Sequence, residues 1–299
     1  MRRGRWIWLV AMVAALTMIA AACGGGDDDE PSAGDTGASE PASDDLLAKI
    51  KADGVLRVST DPQYPPQSSY DEATGEWEGF DIDVATEIAN RLGVEIEWKT
   101  PSWNVLTSGN WQDRWDLSVG SMTVTPERAE VLNFSEPYYY TPAAVAVHED
   151  SSVTSVEELS GKKIGVCQAC TYDLWLQGKL VIPGEDITFP IEDPQIVTYS
   201  TDSLAIKDLE LGDGLRLDAV GSALPTIQGA IDKGAPIKLV GEPVFYEPLA
   251  AATDKGSSLD TTSFDEEVTR IIQEMHDDGT LSELSDTWYG EDLTQKVES

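Results

Sequence analysis

Apolar and polar residues follow the periods of strands and helices in turn. Residues 55–59 form a short apolar run typical of a strand, and residues 80–92 carry apolar side chains at the three- and four-residue intervals of a helix. Gly93 ends that helix, and residues 94–98 predict the next strand. Because this order is the unit of a parallel α/β sheet, we expect a ligand site beyond the carboxyl ends of its strands.

The same alternation continues to the end of the chain. Further strands are predicted at residues 116–120, 163–166, 217–220 and 237–240. Further helices are predicted at residues 46–52, 171–176, 204–211, 225–230, 265–276 and 281–288. A chain of 299 residues is long enough for two such α/β units with buried cores.

The first residues predict the compartment. Arg2, Arg3 and Arg5 precede an apolar stretch at residues 6–22, which is shorter than the roughly 20 residues of a membrane span. Small residues then precede Cys23, as in a bacterial lipoprotein signal whose cysteine is lipidated. We therefore expect a signal peptide at residues 1–22; an ordinary secretory peptide cut before an incidental cysteine is the alternative.

Residues 23–45 predict a tether. After the cysteine this segment contains small residues and acids and lacks aromatic, branched aliphatic and basic side chains. Such a segment buries too little apolar surface to fold. We therefore expect a lipid-anchored, acidic, disordered tether that holds the folded part outside the cell membrane.

Composition and charge argue against a membrane-embedded protein and against a nucleic-acid-binding protein. With 41% hydrophobic and 25% charged residues the chain resembles a soluble globular protein. Its 54 acids against 20 basic residues give a formal net charge of −34, which repels nucleic acid and anionic lipid. We therefore expect no nucleic-acid partner.

Arg128 is the first candidate for a binding residue. Thr125 and Pro126 predict the N-cap and first position of a helix, so that Arg128 falls in its first turn. A cation there opposes the helix dipole, but beside free backbone N–H groups it would make a strong carboxylate site. An exposed ion pair with Glu127 or Glu130 is the alternative.

Cys167 and Cys170 form a C-x-x-C pair. In an oxidising compartment two such thiols can form a structural disulfide. A thioredoxin-like redox pair and half of a zinc site are the alternatives, although His148 and His276 are the only histidines that could complete a metal site. We expect no metal and no other cofactor.

Five motifs occur in one order along the chain. They are LRVSTDPQYPP at 56–66, GFDIDVA at 79–85, MTVTPER at 122–128, FSEPY at 134–138 and LSGKKIGV at 159–166. In these motifs the chain resembles the family 3 extracellular solute-binding proteins, the polar amino-acid receptors of ATP-driven importers. The resemblance covers about residues 46–290.

The resemblance implies a two-lobed α/β fold of the periplasmic-binding-protein type (type II), whose lobes are joined by two crossing strands. Lobe one would comprise residues 46–144 and 250–299, and lobe two residues 145–249. The crossing strands would lie near residues 141–148 and 240–252. Ligand would bind between the lobes and close the hinge.

The resemblance also implies a ligand site. Arg128 would bind an α-carboxylate, aided by Ser121, Thr123 and backbone groups at Cys170 and Thr171. Asp61 and Tyr64 would border the pocket and Trp103 would stack on the ligand, although core packing is an alternative for both aromatic residues.

Three positions depart from the family pattern. The aspartate that commonly binds the ligand's α-ammonium is absent near Ala223. Ala169 and Cys170 stand where Gly-Thr is frequent, and Gln67 replaces a frequent phenylalanine. The resemblance thus implies the fold more firmly than it implies an α-amino acid as ligand.

The expected function is that of an extracytoplasmic receptor of an ABC importer. It would deliver a small carboxylate-bearing solute, an amino acid or derivative, to a membrane permease, as a monomer and without catalytic residues. A secreted cyclohexadienyl-dehydratase-like enzyme on the same fold is one alternative, although neither anion-binding loop contains the histidine that could serve as acid or base. A ligand sensor for a signalling partner is the other.

Overall fold

The computed structural model describes residues 44–296. The predicted signal peptide, the lipidation site Cys23 and nearly all of the predicted tether lie outside these residues. Within them, no helix combines the length and the apolar character that a membrane span requires.

Strands and helices alternate through the described residues. The strands are β1 Val55–Ser59, β2 Gln63–Tyr64, β3 Ser68–Asp71, β4 Glu76–Glu78, β5 Glu95–Lys99, β6 Leu117–Thr123, β7 Leu132–His148, β8 Lys163–Cys167, β9 Gln195–Tyr199, β10 Ala219–Ala223 and β11 Ile237–Asp254. The α-helices are α1 Leu46–Asp53, α2 Phe80–Leu92, α3 Trp103–Thr107, α4 Pro126–Val131, α5 Thr171–Leu176, α6 Asp202–Leu209, α7 Leu224–Asp232, α8 Thr262–Asp277 and α9 Thr280–Tyr289. A short 3₁₀ helix spans Val156–Leu159.

Eight strands form one sheet, in the order β5-β1-β6-β11-β7-β10-β8-β9, and β2, β3 and β4 form a small antiparallel sheet beside it. The long strands β7 and β11 pair antiparallel at the centre. Near one end of this pair, β11 borders β6 at Leu249–Ala252. Near the other end, β7 borders β10 at Ala143–Val147. The two central strands are therefore shared by both halves of the sheet.

Each half of the sheet has its own buried core. In the first half α1 packs on β1, α2 on β6 and α8 on β7, while α9 packs on α2 and α8, with Phe80, Ile88 and Phe264 fully buried. In the second half alternate residues of the strands point to opposite faces, with α5 on one face and α6 and α7 on the other. Buried apolar surface thus fixes both halves against the central strands.

The sequence prediction is most accurate where residues next to a helix or strand mark the point at which it begins or ends. The predicted strand 55–59 and helix 80–92 match the structure residue for residue, and Gly93 ends the helix at φ 75°. The strand predicted at residues 237–240 is too short, since β11 continues to Asp254 by pairing with β7 and β6. The sequence pattern also missed β9, α3 and the small sheet β2–β4.

Gly79 precedes α2 at a close backbone contact. A Cβ atom on Gly79, whose φ is 134°, would lie 2.3 Å from the backbone oxygen of Gln67. We expect Gly79→Ala to lower the free energy of unfolding by at least about 2 kcal/mol more than Gly54→Ala does. Gly54 is the matched control because it also has positive φ, 70°, but has nothing within 4 Å of its Cβ position. Urea unfolding followed by tryptophan fluorescence measures both; equal losses would contradict this account of the contact.

Candidate functional site

One cavity between the two halves of the sheet is lined by every residue of the predicted ligand site. These residues are Asp61, Tyr64, Trp103, Ser121, Thr123, Arg128, Cys170 and Thr171. Its volume is about 60 Å³, well below the roughly 300 Å³ of the smaller ligand pockets. A ligand as large as an amino acid therefore requires its walls to move apart.

Arg128 lies in the first turn of α4, behind the N-cap Thr125. Its side chain is buried, so the predicted alternative of an exposed pair with a neighbouring glutamate is wrong. Nη1 donates a hydrogen bond to the Thr123 carbonyl oxygen at 3.0 Å, whereas Nη2 has no partner among the described residues. Burial lowers the pKa of Arg128 to about 10, partly opposed by the charge of Glu247. The group is still a cation at neutral pH.

Trp103 packs against this arginine. The Arg128 guanidinium carbon lies 5.0 Å from the centroid of the Trp103 ring, within the range of a cation–π contact. The indole Nε1 donates to the Ala169 carbonyl oxygen at 3.2 Å. Trp103 thereby links the arginine to the loop between β8 and α5.

Glu247 of β11 places a carboxylate in the cavity that the sequence analysis did not predict. Its Oε1 accepts a hydrogen bond from Thr123 Oγ1 at 2.7 Å and another from Thr171 Oγ1, and its Oε2 accepts one from Tyr172 at 2.8 Å. Burial raises the pKa of Glu247, and the three hydroxyl donors and Arg128 oppose that rise. Glu247 thus joins β6, in one half of the sheet, to α5 in the other.

Asp202, the first residue of α6, is a second unpredicted carboxylate in the cavity. Ser222 Oγ donates to its Oδ1 at 2.6 Å. Burial raises the pKa of Asp202 to about 7, and the charges of Asp61 and Glu247 add to that rise. Ser222 adjoins Ala223 at the end of β10. Asp202 therefore lies near the position at which the family's usual aspartate is absent from this sequence.

Hydrogen bonds to Asp81 and Tyr138, which do not line the cavity, hold Ser121 in place. It has a positive φ of 53°, and its Oγ donates to Asp81 Oδ2 at 2.7 Å. Tyr138 donates to the other oxygen of Asp81 at 2.7 Å and accepts from the Ser121 N–H at 2.9 Å. Burial raises the pKa of Asp81 to about 7. This network fixes a backbone conformation that is uncommon for serine.

Asp61 and Tyr64 line the cavity from the loop after β1. Asp61 is half-buried and accepts a hydrogen bond from the Gln63 N–H at 2.7 Å, and burial raises its pKa. Gln67, where the family pattern has phenylalanine, is buried and accepts a hydrogen bond from Thr226 at 3.1 Å. This loop therefore also contacts the second half of the sheet.

A disulfide joins Cys167 at the end of β8 to Cys170, the N-cap of α5, with Cα atoms 5.6 Å apart. Both cysteines line the cavity. Within residues 44–296, no cluster of three or more histidine, cysteine or acidic side chains is arranged to hold a metal ion. The bridge thus closes the turn that precedes Thr171.

A larger groove of about 630 Å³ lies outside this cavity, along α6, α7 and Pro65–Pro66. Its lysines, Lys207 and Lys233, are exposed. Charges that remain in water bind ions weakly, whereas Arg128 and Asp202 are buried. The smaller cavity is therefore the better candidate site.

Comparison with known proteins identifies the class. Residues 56–291 match the model of the bacterial extracellular solute-binding proteins, family 3, and the chain belongs to that family. It is 29% identical to the L-cystine-binding protein TcyJ of Escherichia coli strain K12, over 85% of this chain and 90% of that protein.

Two solved structures resemble the fold. An ancestral arginine-binding protein bound to arginine is 30% identical, covers 79% of this chain and 99% of its own, and has a TM-score of 0.67. The ancestral amino acid-binding protein AncCDT-1, a precursor of cyclohexadienyl dehydratase, is 27% identical, with coverages of 81% and 99% and a TM-score of 0.68. The periplasmic-binding-protein-like α/β fold is thereby confirmed.

The position of the disulfide predicts a local effect. Because the bridge closes a very small loop, its loss should change global stability little. Reduction frees the turn before Thr171, however, and raises the ordering cost of binding. We expect reduction to weaken ligand affinity more than it lowers the melting temperature of the ligand-free protein. Calorimetric titration and thermal unfolding, each with and without reductant, measure the two effects. The double variant Cys167→Ser/Cys170→Ser in reductant is the control, and unchanged affinity would leave the bridge a purely structural one.

Proposed function

We propose that this protein binds an amino acid or a related carboxylate-bearing solute and delivers it to the membrane permease of an ABC importer. The buried guanidinium of Arg128, with Nη2 lacking a partner among residues 44–296, is the observation that carries the proposal. A carboxylate paired with a desolvated guanidinium forms a strong, charge-assisted contact. Family membership and the amino-acid-binding relatives support the same function.

Binding would proceed by hinge closure between lobe one, residues 46–144 and 250–299, and lobe two, residues 145–249. The cavity is too small to admit an amino acid without opening. Side-chain contacts between these proposed lobes include Thr123 to Glu247, Trp103 to Ala169, Ser203 to Gln63, Thr226 to Gln67 and the ion pair of Lys296 with Glu185 at 3.1 Å. Opening would break these side-chain contacts, while β7 and β11 would stay paired as the hinge.

The proposed receptor is not an enzyme and acts as a monomer. Binding needs only Arg128, the hydroxyl groups and the carboxylates of the cavity, and neither His148 nor His276 lines it. The relation of AncCDT-1 to a dehydratase shows that this fold can lead to catalysis, but AncCDT-1 itself is described as an amino acid-binding protein. Fold alone does not decide between the two activities.

Arg128→Ala tests the proposed function. Loss of a charge-assisted pair in a desolvated cleft costs about 2 to 5 kcal/mol, so we expect affinity to fall about 30-fold to several-thousand-fold. Calorimetric titration with the amino acid that binds the wild type best, chosen from the standard L-amino acids and L-cystine, measures the loss. Urea unfolding checks that the variant folds.

Arg114→Ala is the matched control. Its guanidinium carbon also lies 5.0 Å from a tryptophan ring centroid, that of Trp115, but it does not line the cavity. This control should bind as the wild type does. Near-wild-type affinity of Arg128→Ala would contradict the assignment of the site.

We also propose that lipidation of Cys23 anchors the protein to the outside of the cell membrane. The apolar stretch, the small residues before Cys23 and the extracellular location of the family support this anchor. Cys23→Ser should move the processed protein from the membrane fraction to the soluble fraction. Fractionation of cells expressing each form measures this, and processed Cys23→Ser that stays with the membrane would refute the anchor.

A further inference from the structure

Acidic side chains outnumber basic side chains in the lining of the cavity. Three carboxylates line it, those of Asp61, Asp202 and Glu247, against the single guanidinium of Arg128. The solute's own carboxylate would add one more negative charge. Because buried charges are costly unless they are paired, the cavity favours a solute that also brings positive charge.

Asp202 and Glu247 differ in how well the protein itself stabilises them. Glu247 accepts hydrogen bonds from the hydroxyl groups of Thr123, Thr171 and Tyr172 and lies in the field of Arg128. Asp202 accepts a side-chain hydrogen bond from Ser222. The nearby charges of Asp61 and Glu247 disfavour the ionised form of Asp202. Asp202 is therefore the carboxylate that gains more from an added cation.

Polar atoms that lack a hydrogen-bond partner support a ligand that has a polar group at each end. Arg128 Nη2, Thr141 Oγ1 and Thr201 Oγ1 belong to cavity residues and are buried without a hydrogen-bond partner among the described residues. Thr201 directly precedes Asp202, whereas Arg128 belongs to α4 in the other half of the sheet. Anion-binding and cation-binding groups thus lie on different elements of the same cavity.

We propose that the solute is an amino acid of net positive charge, with its carboxylate on Arg128 and its cationic side-chain group on Asp202, which acts as a specificity-determining residue. This inference rests on the proposed function and adds the charge of the ligand. Similarity to known proteins does not determine the charge of the solute. Of the two proteins named above, one binds L-cystine and the other binds arginine.

Paired ligands that differ in charge test the inference. Calorimetric titrations of the purified protein would compare L-arginine with L-citrulline, its neutral counterpart of nearly equal shape, and L-lysine with L-norleucine. We expect at least one cationic ligand to bind about tenfold or more tightly than its neutral counterpart. Agmatine, which is arginine without the carboxylate, should bind more weakly than arginine because it cannot pair with Arg128.

The variant Asp202→Asn should reduce the preference for the cationic ligand by about tenfold or more, while binding of the neutral ligand changes less. Asp208→Asn is the matched control. It removes the same charge from the same helix, but Asp208 contacts Tyr199 and Arg216 and does not line the cavity. Its ligand preference should equal that of the wild type.

The outcomes separate the two proposals. Neutral amino acids that bind the wild type as tightly as their cationic counterparts would overturn the charge inference and leave the proposed function intact. An unchanged preference in folded Asp202→Asn would overturn the role of Asp202. Absence of binding by any amino acid would refute an amino acid as the solute of the proposed function, and the charge inference with it. The comparison on the wild type remains decisive if Asp202→Asn does not fold.

Discussion

The antiparallel pairing of β7 with β11 is the constraint on which the candidate site depends. Each strand contributes one part to the first half of the sheet and another part to the second half. A break in register between Val240 and Phe245 separates the two parts of β11. Because both halves of the sheet form backbone hydrogen bonds with the same pair of strands, the proposed opening of the cavity would break side-chain contacts and leave these strands paired.

Glu247 lies on this shared pair, close to the point where the neighbours of β11 change. From there its carboxylate reaches hydroxyl groups of β6 and of α5. A buried carboxylate is tolerated when several donors replace water, and three hydroxyl groups do so here. These contacts occupy the hydroxyl group of Thr123, which the family resemblance implies for the ligand carboxylate, and the hydroxyl group of Thr171, for which the resemblance implies backbone groups instead. In the proposed site, a ligand carboxylate at Thr123 would replace that of Glu247 at this hydroxyl group.

The sequence predicted those parts of the site that depend on local chemistry. Thr125 and Pro126 start α4 as capping rules predict, and this places Arg128 beside Thr123. Asp202 and Glu247 were missed for different reasons. Asp202 follows β9, whose half-exposed residues lack a clear alternation. Glu247 lies in a long strand whose burial comes from pairing with distant residues, and single-sequence periodicity does not report such pairing.

Two opposite electrostatic effects support the proposed charge selectivity of the cavity. Burial lowers the pKa of Arg128 to about 10 and raises that of Asp202 to about 7, so that each group is less stable as an ion here than in water. A ligand that supplies the opposite charge to each removes both penalties at once. The low dielectric of a closed cavity strengthens both pairs, and water in the open cavity weakens them. The proposed closure and the proposed recognition of charge would therefore be coupled, since a ligand that pairs both ions would gain most from a closed cleft.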